Sequence, residues 1–267
     1  MHLKRWLTAV IAVPLLVLMV GFGPRWLFYS VLSAAACIGL REFYAITQTR
    51  LPRFLSWGIY LMVLVLFAAL YIRQFLLIPA IVLAWAFTPM AWFMFTRPSA
   101  AQRPVEDLAK AVLGPVYVAL PLGLLVLIDF RHQGQGWIFF LLTAVFASDT
   151  GAFYAGKLFG RHKLYEAVSP GKTWEGAVGG LVASVAATCL LLRLTGLHPF
   201  GLSIVVLTMA LSAAGQIGDL SQSMLKRSHG VKDSGRILPG HGGILDRIDG
   251  LLFAIPVLFI YLFFYSM

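Results

Sequence analysis

The segment SPGKTWEG, Ser169–Gly176, contains the Gly-Lys-Thr with which a nucleotide-binding phosphate loop ends. Such a loop requires Gly-x-x-x-x-Gly-Lys-Ser/Thr, preceded by a hydrophobic strand and followed by a helix. The position five places before Gly171 is Glu166, and what precedes it is a basic loop and a long apolar block. The soluble phosphate-loop reading therefore fails on both counts. The segment reads instead as a cytoplasmic turn between two membrane spans, with Lys172 free to meet an anion and Glu175 ordering the turn or a basic neighbour, or playing a minor metal role.

Working outward, the chain has 267 residues, of which 60% are hydrophobic and 12% charged, with a mean hydropathy of +0.84. A soluble domain of that size needs more polar surface. The apolar residues fall into blocks of about 20, the length that crosses a bilayer. Nine spans are expected, at 6–22, 26–40, 54–72, 75–95, 111–129, 137–158, 176–196, 201–224 and 250–266, the second short enough to be re-entrant or tilted. The expected fold is an all-α, polytopic membrane protein forming a single membrane domain over 1–267. Residues 1–135 would be a helical scaffold, and 136–267 the catalytic half with cytoplasmic loops at 159–175 and 225–249.

The net charge of +10 is mostly topology rather than a nucleic-acid surface. All but four of the 21 Lys and Arg, namely Arg25, Arg73, Arg131 and Arg193, fall on the side of Lys4 and Arg5. That asymmetry places the amino terminus in the cytoplasm and the carboxyl terminus outside. The first span lacks a nearby small-residue cleavage site and is expected to stay uncleaved. Cys37 and Cys189 lie inside apolar spans and read as packing residues. Glu42, beside Arg41 at a span end, reads as half of an interfacial ion pair, and Pro14, Pro79, Pro89, Pro115 and Pro121 as tolerated helix prolines.

A charge inside an apolar span costs several kcal/mol unless paired or solvated, so it marks function. Asp149, in VFASDTGAFYAGKLFG, and Asp219, in GQIGDLSQSMLKR, are the two clear cases. Asp219 and Ser223 are four apart and share a helix face, Lys226 and Arg227 follow, and Asp246 and Asp249 open the ninth span. Magnesium takes oxygen ligands, usually one or two carboxylates completed by phosphate and water. Asp219 and Asp246, with Asp249 and Asp149 as further candidates, supply such carboxylates. Lys172, Lys226, Arg227, Lys232, Arg236 and Arg247 can neutralise a triphosphate and a lipid phosphate. Gly235, Gly240, Gly242 and Gly243 permit an anion-cradling backbone. His229 and His241 match no zinc spacing, and His241 reads as a phosphate donor or loop-shaping residue.

These residues carry a resemblance. SMLKRSHGVKDSGRILPGHGGILDRID, Ser223–Asp249, looks like the signature of the phosphatidate cytidylyltransferases, the CDP-diacylglycerol synthases. SDTGAFYAGKLFGRHKL and SPGKTWEG resemble that family's two upstream blocks. The amino-terminal half is similar only in hydropathy. The resemblance implies an inner-membrane bacterial enzyme, its site facing the cytoplasm, that joins CTP and phosphatidate into CDP-diacylglycerol and pyrophosphate for phospholipid synthesis. It implies magnesium, with room for a second cation, and a homodimer. Its metal positions fall on Asp219 and Asp246, and its motifs also mark Ser223, Lys226, Arg227, Lys172 and Asp149.

The chemistry suits the residues. The attacking phosphatidate oxygen is already ionised near neutral pH, so no strong general base is required. The task is to bring two polyanions together and stabilise departing pyrophosphate, which cations and placed donors do. Asp249 would then be a metal ligand or the partner of Arg247. A CTP-dependent polyprenol or phytol kinase is the rival enzyme, distinguished by releasing CDP. A transporter would place its acids near the midplane between repeats, whereas here they crowd one leaflet.

Overall fold

The protein is described here by a computed structural model covering residues 14–96, 104–235 and 242–265. Residues 14–21 are helical, and eight long helices follow: α1 (Arg25–Ile46), α2 (Arg53–Tyr71), α3 (Leu77–Thr96), α4 (Pro104–Asp129), α5 (Gly134–Phe159), α6 (Trp174–Thr195), α7 (Leu202–Ser228) and α8 (Leu245–Tyr265). Seven of these, α2 to α8, are long and apolar enough to cross a membrane. They coincide with the last seven expected spans to within a few residues, except that α4 starts seven residues early, at Pro104, and α8 five early, at Leu245.

One expectation at the amino-terminal end changes, and another lies partly outside the described residues. The span expected at 26–40 is the middle of a longer helix, α1, which runs on through Arg41 and Glu42 to Ile46 and is not among the seven. The span expected at 6–22 begins outside the described residues. The fold is an all-α polytopic membrane protein with one small addition: an antiparallel hairpin of β1 (Lys163–Tyr165) and β2 (Ser169–Thr173) lies between α5 and α6. Its register pairs Lys163 with Thr173 and Tyr165 with Ser169, with an irregularity between.

Large apolar side chains cover the outside of the bundle. Leu76 is 91% exposed, Leu202 80% and Phe95 78%, a distribution suited to lipid rather than to water. Pro89, Pro115, Pro121 and Pro256 sit inside α3, α4 and α8.

The chain divides into two compact units, one within Met1–Val126 and Asp233–Leu245, the other within Leu127–Lys232 and Asp246–Met267. In the first, α1, α2 and α3 pack in chain order around Ile59, Val63 and Trp85, all fully buried. Tyr44 Oη donates to the carbonyl of Ala111 at 2.9 Å. Gly114 lets α4 lie against α1, since a Cβ there would stand 2.7 Å from Leu40 Cδ1.

In the second unit, α5 and α6 form the tightest helix pair. Their seam is made of small residues: a Cβ on Gly151 would meet Gly179 O at 2.8 Å, and one on Gly176 would meet Ala152 O at 2.8 Å. Close backbone approach of this kind replaces the hydrophobic drive that lipid removes. Polar side chains then tie in α7. Ser148 Oγ and Ser212 Oγ are 2.6 Å apart, and Gln216 Nε2 donates to Ala177 O at 3.2 Å.

Candidate functional site

SPGKTWEG is β2 and the first turn of α6, not a simple turn. Neither Pro170 nor Gly171 favours a strand, so local contacts hold it. Thr173 is the N-cap of α6, its Oγ1 accepting from Gly176 N at 3.1 Å. The carboxylate of Glu175 accepts from Arg161 N at 3.1 Å and His162 N at 3.3 Å, and lies 2.6 Å from His162 Nδ1. Trp174 N donates to His162 O at 3.0 Å, and Lys163 Nζ donates to Pro170 O at 2.6 Å. Glu175 therefore orders the hairpin, in keeping with the first of its expected roles.

The hairpin delivers Lys172 to α7, where its Nζ stands 2.7 Å from Asp219 Oδ2. On that helix Asp219, Gln222, Ser223 and Lys226 recur at three and four residues and share one face. Ser223 Oγ donates to Asp219 Oδ1 at 3.4 Å. One turn on, Lys226 Nζ and Gln222 Nε2 both donate to Asp246 Oδ1 on α8, at 2.7 and 3.1 Å. Asp249 Oδ1 accepts from Gly250 N at 2.8 Å. The charges of Asp149 and Asp249 both interact with that of Asp219, with Lys172 near the first and Lys226 near the second.

The structure thus joins Lys172, Asp219 and Ser223 in one group and Lys226 and Asp246 in a second, with Asp149 and Asp249 in electrostatic reach. Arg227, Lys232 and Arg247 are exposed. Arg236 and His241 lie outside the described residues. The backbones of α7 and α8 nearly touch beside this site: a Cβ on Gly218 would stand 2.5 Å from Asp249 O.

Among the described residues, no three His, Cys, Asp or Glu side chains form a group able to hold a metal ion by themselves. Asp219, Asp246 and Asp249 are therefore not a closed protein cage. The donor set does fit an ion that takes one or two carboxylates and completes its shell with phosphate and water, as magnesium does. Asp219, whose described partners are the Lys172 ammonium and the Ser223 hydroxyl, keeps 40% side-chain exposure.

Sequence reasoning missed Gln222 at this site and, in the other compact unit, the contacts of Glu42 with Ser234 and the start of α8. Gln222 is fully buried beside Asp246, and its spacing from Asp219 and Lys226 was the available signal. Glu42, read as half of an interfacial ion pair, is 4% exposed and accepts from Ser234 Oγ at 3.0 Å, Ile244 N at 3.1 Å and Leu245 N at 2.8 Å. Ser234 carried no signal beyond its place in the motif.

Comparison with known proteins identifies the family. A family model described as "Cytidylyltransferase family" matches residues 3–265. A protein of Staphylococcus saprophyticus named "Phosphatidate cytidylyltransferase" is 43% identical over 152 residues, 57% of this chain and 58% of that one. Proteins of the same name from Staphylococcus epidermidis and Staphylococcus haemolyticus are 42% and 41% identical over the same shares. The alignments thus span 58% of the length of these curated relatives.

Proposed function

Because the chain belongs to the cytidylyltransferase family, we propose that it transfers the cytidylyl group of CTP to phosphatidate, forming CDP-diacylglycerol and pyrophosphate. The observation that carries this reading is the 2.7 Å contact of Lys172 with Asp219. It joins the SPGKTWEG block to the acid-bearing helix, so two blocks distant in sequence serve one site.

In the proposed reaction a phosphate oxygen of phosphatidate bonds to the α-phosphorus of CTP, and the bond from that phosphorus to the bridging oxygen of pyrophosphate breaks. No proton need be removed first. Lys172 and Lys226 bind triphosphate oxygens and hold charge as pyrophosphate leaves, with Arg227, Lys232, Arg236, Arg247 and His241 extending the phosphate-binding surface. Ser223 hydrogen-bonds phosphate or completes a metal shell. Magnesium held by Asp219 and Asp246, with Asp249 beside them, would supply charge neutralisation at the phosphates. Asp149 sits where a lipid headgroup at the cytoplasmic mouth would reach.

The proposed setting is a bacterial inner membrane, with the amino terminus and the loops at 159–175 and 225–249 in the cytoplasm, and the chain working as a homodimer. The test supplies purified protein with magnesium, phosphatidate and CTP labelled at the α-phosphate. Label is expected in lipid, with one pyrophosphate per label transferred. Label confined to water-soluble nucleotide rejects the reading, and release of CDP in place of pyrophosphate identifies a CTP-dependent lipid kinase.

A further inference from the structure

Glu42 is a buried carboxylate on α1, within the half of the chain whose sequence carries little chemistry. Its three described donors are Ser234 Oγ, Ile244 N and Leu245 N. One carboxylate therefore ties Ser234 to Ile244 and Leu245. Leu245 is the first residue of α8, and the leading N–H groups of a helix have no acceptor within it. A capping residue normally supplies that acceptor from the preceding turn. Here it arrives from a helix some two hundred positions upstream.

The neighbouring glycines fit this arrangement. A Cβ on Gly235 would stand 2.5 Å from Glu42 Oε1, and one on Gly243 would run into Glu42 Oε2 and Ser234 Oγ. Gly242 adopts φ +78°, a conformation side chains rarely take. Sequence reasoning assigned these glycines to cradling a substrate anion. At Gly235 and Gly243 the anion against the backbone is the protein's own.

Resting on the cytidylyl-transfer reading, we propose that Glu42 is a positioning residue for that reaction. By holding Ser234 and Ile244 and capping Leu245, it sets where the chain enters α8, and the next residue is Asp246, the partner of Lys226 and Gln222. It touches neither substrate nor reacting atoms; it acts through the loop.

The test compares wild type with Glu42→Gln and Glu42→Asp as full-length protein in lipid nanodiscs. The amide of Gln turns one oxygen position into a donor facing donors. Amide hydrogen exchange at Ile244 and Leu245 is expected to accelerate about tenfold or more in Glu42→Gln, and less in Glu42→Asp, which keeps two acceptor oxygens. The apparent KM for CTP should rise roughly fivefold or more in Glu42→Gln, with partial rescue in Glu42→Asp and an unchanged KM for phosphatidate. Unchanged exchange overturns the clasp. Faster exchange with wild-type KM values, or with a mere loss of active fraction, overturns the positioning role. If Glu42→Gln is not recovered folded, Ser234→Ala, which removes one donor to Glu42, is read the same way with an exchange change of about threefold. If wild type itself transfers no label to lipid, the functional reading falls, while the exchange comparison still decides the clasp.

Discussion

Lys172 and Asp219 hold opposite charges 2.7 Å apart, at side-chain exposures of 25% and 40%. At that exposure water screens the pair, and its contribution to stability is about 1 kcal/mol or less. Lys226 and Asp246, at 15% and 10%, are another matter. Removing either partner there strands a buried charge, a loss of about 3–5 kcal/mol, so a variant would confuse folding with chemistry. Lys172 is therefore the cleaner probe. Lys172→Ala should lower cytidylyl transfer by about a hundredfold or more while shifting the melting temperature by only a few degrees. Asp219→Asn should match it in activity, and measuring turnover and thermal unfolding on the same preparations checks both. Near wild-type turnover in both variants would remove them from the site. The sequence exposed Asp219 directly, because a lone carboxylate in an apolar span needs a reason. It could not expose Glu42 in the same way, since a carboxylate next to Arg41 already has an obvious local partner and its actual donors lie at Ser234, Ile244 and Leu245.

At the scale of elements, the site depends on how closely helices can approach. Gly218 of α7 faces Asp249 O and Gly250 Cα of α8, where an added Cβ would stand 2.5 and 3.1 Å away. Backbone cannot rotate aside as a side chain can, so Gly218→Ala must separate the two helices next to Asp219 and Asp249. The expected cost is about 1–3 kcal/mol of overpacking, read as a lowered melting temperature, together with a fall in kcat larger than that of a Gly→Ala control at Gly58, where an added Cβ meets nothing within 4 Å. The helices themselves were legible, because apolar blocks of spanning length survive any uncertainty in packing. The hairpin was not. Its strands are three and five residues long, include proline and glycine, and are held by Glu175, His162 and Lys163 through contacts that no periodicity announces. Likewise the glycines of GAFYAG and WEGAVGG read as parts of motifs, whereas Gly151, Gly156, Gly176 and Gly179 line the seam between α5 and α6.

At the scale of the whole molecule, the charge asymmetry makes a topological prediction. Glu166 lies in the hairpin and His132 in the short connection before α5. In a chain with Cys37 and Cys189 replaced by alanine, Glu166→Cys should resist a membrane-impermeant maleimide in intact cells and react once the membrane is permeabilised. His132→Cys should react in intact cells. The opposite pattern would invert the protein and place the acids and Lys172 away from cytoplasmic CTP. α1 is not among the seven span-length helices, because Arg41 and Glu42 interrupt what hydropathy alone would treat as a membrane segment.

The loop that Glu42 organises is embedded in the sequence of the second unit yet packs with the first, so the chain passes between the units three times, after Val126, Lys232 and Leu245. This interleaving bears on chimeras. A graft that exchanged residues 1–126 for those of a relative would look harmless by motif, since every signature residue stays in place. It would nevertheless remove the carboxylate around which Ser234, Gly235 and Gly243 are folded, and only a donor with an acid at the matching turn of its first long helix could restore the fit.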